Sequence, residues 1–284
     1  MSQEKIIFRS ASDLFNIDSP SIMGIINVTP DSFYASSRIQ SENELLDKAG
    51  KMIEYGAKIL DIGAVSTRPG SVPPPEEEES DRLLTVLGAL RQHFPDVIIS
   101  VDTFRSKVAR SALKAGAQII NDISAGNSDP EILKVCAEFT APYIVMHMQG
   151  VPLTMQSNPR YDNVVEEVFD FISAKIQQCI AAGINDIWID PGFGFGKTLD
   201  HNYSLLNHLG VFKIHKRPIV VGLSRKGMIY RLLQIKPEDS LSATSALHLQ
   251  ALMNGAGILR VHDVREAVQM VKLYHKLKEN TFVK

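Results

Sequence analysis

Val97-Ile98-Ile99-Ser100-Val101-Asp102-Thr103 is the stretch that decides the fold. Its apolar run lacks the alternation of a half-exposed strand, is rich in β-branched residues and stops at a carboxylate. It therefore reads as a parallel strand buried on both faces, with a functional group at its C-terminal end. The same figure recurs to either side. Ile22-Met23-Gly24-Ile25-Ile26 runs into Asn27, Ile59-Leu60 into Asp61, and Ile119-Ile120 into Asn121-Asp122. Further on, Tyr143–Met146 runs into His147, Ile187-Trp188-Ile189 into Asp190, residues 219–223 into Ser224-Arg225-Lys226, and Ile258-Leu259 into Arg260-Val261-His262-Asp263.

Between these runs, apolar residues fall at three- and four-residue spacing over 42–55, 76–94, 106–115, 131–139, 163–182, 203–208, 241–254 and 264–277, which predicts helices. Strand followed by helix implies right-handed βαβ units, and eight of them close into an α/β fold of the (β/α)8 TIM barrel type. Residues 21–284 are expected to form that single barrel domain. Residues 1–20 are expected to be a short N-terminal extension, a strand or hairpin over the bottom of the barrel. In such a barrel the active site lies at the C-terminal rim of the strands, so the polar termini should converge on one mouth.

The 284 residues carry 30 Lys and Arg against 32 Asp and Glu, with no basic block. A nucleic-acid partner is set aside, because it would need a cationic footprint. Cys136 and Cys179 are the only cysteines; they suggest neither a disulfide framework nor a metal site and fit a reducing cytoplasm. Residues 1–13 hold no signal-peptide core, and no uncharged stretch approaches the roughly 20 residues of a membrane span. The run Pro73-Pro74-Pro75-Glu76-Glu77-Glu78-Glu79 reads as a stiff loop delivering acidic residues to a helix's first turn, where the helix dipole favours them.

The strand ends sort by chemistry. Asp190-Pro191-Gly192-Phe193-Gly194-Phe195-Gly196-Lys197-Thr198 imitates a phosphate-binding loop, but Pro191 occupies the first glycine position of that motif. Its glycines let the backbone approach a flat ligand, Phe193 and Phe195 offer stacking surface, and Asp190 can accept two hydrogen bonds from an amino-pyrimidine edge. Asp102, Asn121 and Asp190 together suit a polar heterocycle. Arg260 with His262, and Ser224-Arg225-Lys226, place cations on the last two strands, where barrels commonly hold phosphate. Alternation sends Arg260 and His262 to the same side. Asn27 could add an oxygen ligand to a hydrated Mg²⁺ riding on the phosphates. His147 and His262 are isolated, so a protein-only metal centre is not expected.

Asn27-Val28-Thr29-Pro30-Asp31-Ser32-Phe33, Ser66-Thr67-Arg68-Pro69-Gly70, Ser100-Val101-Asp102-Thr103, Met146-His147-Met148-Gln149-Gly150, the loop from Asp190 to Lys197, Ser224-Arg225-Lys226 and Arg260-Val261-His262-Asp263 occur in order at the strand ends. In these motifs the chain resembles the dihydropteroate synthases. The resemblance implies a transferase of folate biosynthesis that joins 6-hydroxymethyl-7,8-dihydropterin diphosphate to 4-aminobenzoate, with Mg²⁺, as a cytoplasmic homodimer and sulfonamide target. It further implies that Asp102, Asn121, Asp190 and Lys226 hold the pterin and that Arg260 and His262, with Asn27 through Mg²⁺, hold the diphosphate. Thr67, Arg68, Pro69 and Ser224 would border the aminobenzoate, with Phe33 and Phe195 nearby.

Two stretches depart from the commoner family wording: Tyr34-Ala35-Ser36-Ser37-Arg38 stands where many members have Ser-Asp-Gly-Gly, and Ala64-Val65 where Gly-Glu is frequent. The loops 29–38 and 65–75, rich in Ser and Pro, are expected to close over the reactants. Two other readings share the pterin contacts: a barrel that moves a methyl group from a methyl-folate to a corrinoid protein, and a non-catalytic pterin-binding module. The first has no use for Arg260, His262 and Lys226 as a diphosphate cradle, and the second would not need the loop at 66–70 beside the amine site.

Overall fold

A computed structural model of the chain describes residues 4–28, 38–65 and 73–280, the side chains of 38–41 excepted. An antiparallel hairpin, β1 (Lys5–Ser10) and β2 (Asp13–Asp18), comes first. Eight parallel strands follow: β3 (Ser21–Asn27), β4 (Ile59–Gly63), β5 (Ile98–Asp102), β6 (Ile119–Asp122), β7 (Tyr143–Met146), β8 (Ile187–Asp190), β9 (Val220–Val221) and β10 (Ile258–Val261). Their hydrogen-bonded order is β8-β7-β6-β5-β4-β3-β10-β9. A parallel bridge between Ile189 and Ile219 brings β8 to the chain entering β9 and closes the barrel. Pro218, lacking an N–H, accepts there from Ile189 at 3.0 Å and limits how early β9 can start.

Outside the strands pack α1 (Arg38–Tyr55), α2 (Glu76–His93), α3 (Ser106–Lys114), α4 (Glu131–Glu138), α5 (Val164–Ala181), α6 (Leu199–Asn207), α7 (Gly227–Leu233), α8 (Leu241–Met253) and α9 (Val264–Glu279). Their helical spacing aims one stripe inward, as with Leu83, Val86, Leu87 and Leu90 of α2 or Val168, Ile172 and Ile176 of α5, against outward-facing strand residues such as Leu60, Ile62, Ile99 and Val101. The structure departs from expectation in several places, among them α1, which starts at Arg38 instead of residue 42. The helix predicted from residue 203 begins at Leu199, because Thr198 and His201 form a reciprocal capping box. The helix α7 is not foreshadowed by periodicity, since seven residues barely complete two turns; with α8 it makes the connection from β9 to β10 a double one.

The interior floor takes one side chain from each barrel strand: Met23, Ile59, Ile98, Ile119, Ile144, Trp188, Val220 and Ile258. The hairpin seals it with Ile6, Phe8 and Ile17, the Phe8 ring lying edge-on to Trp188 at 5.3 Å. It is tied down by Arg9 N donating to Asp186 Oδ2 at 2.9 Å and Ala11 N to the Phe139 carbonyl at 2.9 Å. The bottom of the barrel interior is thus plugged by apolar side chains, and the polar layers of the interior lie toward the other end.

Candidate active site

Side chains alternate along a strand, so residues two positions beyond the floor face the interior one layer higher. Those residues are Ile25, Asp61, Ser100, Asn121, Met146, Asp190, Gly222 and Arg260. Another two positions on, β3 and β5 present Asn27 and Asp102, and the chain leaving β9 and β10 presents Ser224 and His262. A barrel with an apolar floor thereby acquires a polar second layer. Asp61 and Ser100 are fully buried, and Asn121 and Asp190 are only 5% and 6% exposed.

Arg260 stands at the centre of this layer. Its Nε donates to Asp61 Oδ2 at 2.6 Å and its Nη2 to Asp102 Oδ2 at 2.8 Å, while Asn121 Nδ2 donates to Asp61 Oδ2 at 3.2 Å. One guanidinium therefore serves two carboxylates. Burial, only partly offset by Arg260 and reinforced by the charge of Asp61, pushes the Asp102 carboxyl up to about 7. Asp102 is itself braced from behind: Thr103 donates from Oγ1 to the buried Glu79 at 2.6 Å, and Arg105 joins Glu79 at 2.7 Å to the Pro74 carbonyl at 2.8 Å. The acidic run does open α2 as expected, yet its last member turns inward and becomes structural.

The loop after β8 is gripped by two lysines. Asp190 Oδ1 accepts from Gly192 N at 2.7 Å, which turns the chain back on itself and leaves Oδ2 without a protein donor among the described residues. Beneath the loop, the buried Lys197 donates to His147 Nδ1 at 2.8 Å and to the carbonyls of Gly192 at 2.9 Å and Phe195 at 3.1 Å. From the mouth side, Lys226 donates to the Phe193 carbonyl and lies 4.6 Å from the centre of the Phe195 ring. Desolvation, partly offset by Asp190, brings the Lys226 ammonium down to about 8. Gly192 and Gly196 are obligatory for this packing: at φ +73° and +60°, a Cβ would fall 1.8 Å from the His147 carbonyl and 2.4 Å from that of Gln149.

At the rim, Ser224 Oγ accepts from the His262 amide at 3.3 Å, joining the ends of β9 and β10. Arg225, expected in the cationic cluster, instead gives both a 2.8 Å and a 2.9 Å hydrogen bond to Asp263 and a third to the Glu238 carbonyl. Its charge is spent on holding two loops together. The mouth is a cavity of about 910 Å³ whose lining includes Asn27, Asp102, Phe195, Lys197, Ser224, Lys226, Arg260 and His262. A groove at the opposite end, lined by Lys213, Lys216, Arg217, Lys272, Lys276 and Lys278, owes part of its cationic character to basic last turns of helical segments, where the dipole favours cations.

Asp102, Asn121, Asp190, Phe195, Ser224, Lys226, Arg260 and His262 are thus gathered at one end of the barrel, with Asn27 exposed on the rim. Thr67, Arg68 and Pro69, like Phe33 and the departure at 34–37, lie outside the described residues, as do the larger parts of the two loops expected to close. Of the second departure, Ala64 is buried and Val65 half-buried just past β4. Asp61 and Lys197 are central here without having been singled out from residue type; for Asp61 the available signal was its register, two residues above the floor. Among the described residues no three His, Cys, Asp or Glu side chains could jointly hold a metal.

Comparison with known proteins bears on this mouth. The family model for pterin binding enzymes matches residues 23–262. Dihydropteroate synthase of Escherichia coli is 45% identical over 260 residues, covering 91% of this chain and 92% of the relative. The structure of Yersinia pestis dihydropteroate synthase in a sulfonamide drug complex superposes with a TM-score of 0.89 at 40% identity, covering 96% of this chain and all of that one. The Xanthomonas albilineans dihydropteroate synthase solved with 4-aminobenzoic acid gives 0.88 at 37% identity, over 97% and 99% of the two chains.

Proposed function

The chain belongs to the dihydropteroate synthase family of pterin-binding enzymes, transferases of the folate pathway, and on that premise we propose that it condenses 6-hydroxymethyl-7,8-dihydropterin diphosphate with 4-aminobenzoate to 7,8-dihydropteroate and diphosphate. The observation that supports this best is the pairing of two chemistries in one mouth. The buried Asp190 faces a lysine laid on an aromatic ring, Arg260 and the buried Asn121 share its layer, and His262 stands one layer above. In this reading Asp190 Oδ2 accepts from the amino-pyrimidine edge, Asp102 and Asn121 meet other polar positions of the ring, and Lys226 donates to a ring acceptor. Arg260, with Nη1 uncommitted among the described residues, and His262 take the diphosphate. Ser224, with Thr67, Arg68 and Pro69, borders the aminobenzoate.

In the reaction so proposed, the bond from the methylene carbon to the diphosphate oxygen breaks, its electron pair leaving with the diphosphate. The arylamine nitrogen then bonds to that carbon and gives up a proton to solvent. Cations fixed beside the departing oxygens stabilise charge as it develops. An arylamine is neutral at pH 7, so no strong base is required, in keeping with a mouth that presents none aimed at a nucleophile. A magnesium ion carried by the diphosphate fits the exposed Asn27, whose Oδ1 lies over Gly63, better than it would fit a protein-only cage. When bound, such an ion would neutralise charge on the leaving group. Family membership also motivates proposing a homodimer, action in the cytoplasm and inhibition by sulfonamides.

Diphosphate release tests the reaction. Release from the pterin diphosphate that depends on 4-aminobenzoate, with a product of the mass of dihydropteroate, is expected; pterin binding without such release would refute it.

A further inference from the structure

We propose that Asp61 is a positioning residue for this reaction: one buried carboxylate that fixes which end of Asn121 meets the heterocycle and aims Arg260, and through it Asp102. The inference rests on the function proposed above. Asp61 lies within β4, fully buried, and its Oδ2 receives both Arg260 Nε at 2.6 Å and Asn121 Nδ2 at 3.2 Å. An ionised carboxylate only accepts, so it holds the amide NH₂ of Asn121 and leaves the amide oxygen to accept an N–H from a ligand. The same carboxylate takes the side-on edge of Arg260, with Nε and Nη2 both 2.6 Å from Oδ2, and Asp102 takes the other Nη2 proton at 2.8 Å, so the donors left over are those of Nη1. Residues on β5, β6 and β10 thus take their orientation from a single carboxylate on β4.

The arrangement is not one that stability alone would select. Among the described residues, Asp61 Oδ1 and, across the ladder, Ser100 Oγ are buried without a hydrogen-bond partner. Such groups cost free energy, and they mark places where a side chain serves an alignment. Asp61 also competes with Asp102 for the one guanidinium. Among the described residues, the charged groups that face Asp102 are Arg260 from β10, Asp61 from β4, Asp122 from β6, Glu79 from α2 and Lys226 from the chain after β9. Asp61 and Arg260 are the nearest elements of that set that one substitution can unbalance.

The test is Asp61→Asn in the full chain, with pterin affinity read by calorimetry in the absence of 4-aminobenzoate and steady-state constants read beside it. Pterin affinity and the KM for the pterin diphosphate should weaken at least about tenfold, because the new amide can turn Asn121 around. The KM for 4-aminobenzoate should stay within about twofold. Pterin affinity should rise with pH as Asp102 ionises, and in the variant that rise should move down by at least about one pH unit, since the neighbouring negative charge of Asp61 that opposes ionisation of Asp102 is removed. Should Asp61→Asn not fold, Asp61→Ser, smaller than either, carries the same expectations. Unchanged pterin affinity with an unmoved pH dependence, or loss confined to thermal stability and active fraction, would overturn the proposal. Absence of product from the unsubstituted enzyme would refute the reaction instead, leaving the calorimetric result to judge Asp61 on its own.

Discussion

Asp102 shows how far one carboxylate can be displaced by its setting. With its pKa raised to about 7, the folded chain binds a proton that the unfolded chain releases at about pH 4, so stability of the free enzyme falls as pH rises across that window and the full cost is present above it. Asp102→Asn keeps an acceptor for Arg260 Nη2 and removes the titration. Denaturant unfolding should therefore find the variant more stable than the parent by on the order of 4 kcal/mol at about pH 8, with the gain gone by about pH 4 and pterin binding impaired throughout. Arg260→Ala would strand two carboxylates, so Arg260→Lys is the cleaner probe: losing the fork should raise the KM for the pterin diphosphate more than the Kd for free pterin, as the ratio of the two would report. Residue type and strand position picked out Asp102, Asn121, Asp190, Arg260 and His262 as groups that gather at one end of the barrel, because their donor and acceptor patterns are chemical facts of the chain. The parts played by Asp61 and Arg225 were not legible, since the one is recognised by its register and the other by a partner, Asp263, that only the folded loops bring within reach.

The loop after β8 and the hairpin illustrate what elements contribute. In the loop, Gly192→Ala would drive a Cβ into the His147 carbonyl at a positive φ, and should cost about 3 kcal/mol in denaturant unfolding along with pterin affinity. Gly88, exposed within α2 and with open space where a Cβ would stand, is the contrast: Gly88→Ala should stabilise by about 1 kcal/mol and leave kinetics alone. In the hairpin, Phe8→Ala empties part of the floor against Trp188 and should cost about 4 kcal/mol while leaving both KM values unchanged. Strands and long helices could be placed from periodicity, as α2 and α5 show. The helix α7 could not, being too short for a period to repeat, and the inward turn of Glu79 is a tertiary choice hidden inside an acidic run that local electrostatics already explained.

At the scale of the whole molecule, eight parallel strands place every strand C-terminus at one end and give the other end to an apolar plug. That division was readable in the sequence, since polar residues close the apolar runs in a single direction. What the pattern did not convey is depth: Asp61, Asn121, Asp190 and Arg260 share a layer, whereas Asn27, Asp102, Ser224 and His262 lie above it, nearer solvent. On the proposed function, the heterocycle would meet Asn121 and Asp190 in the lower layer and Asp102 in the upper, and the diphosphate would meet Arg260 and His262. A crystal structure of the enzyme with the pterin diphosphate tests this directly. The pyrimidine edge should lie against Asp190 and Asn121, with the phosphate oxygens against Arg260 and His262; phosphates at Asp190 with the ring at the rim, or a ring bound elsewhere in the chain, would contradict it.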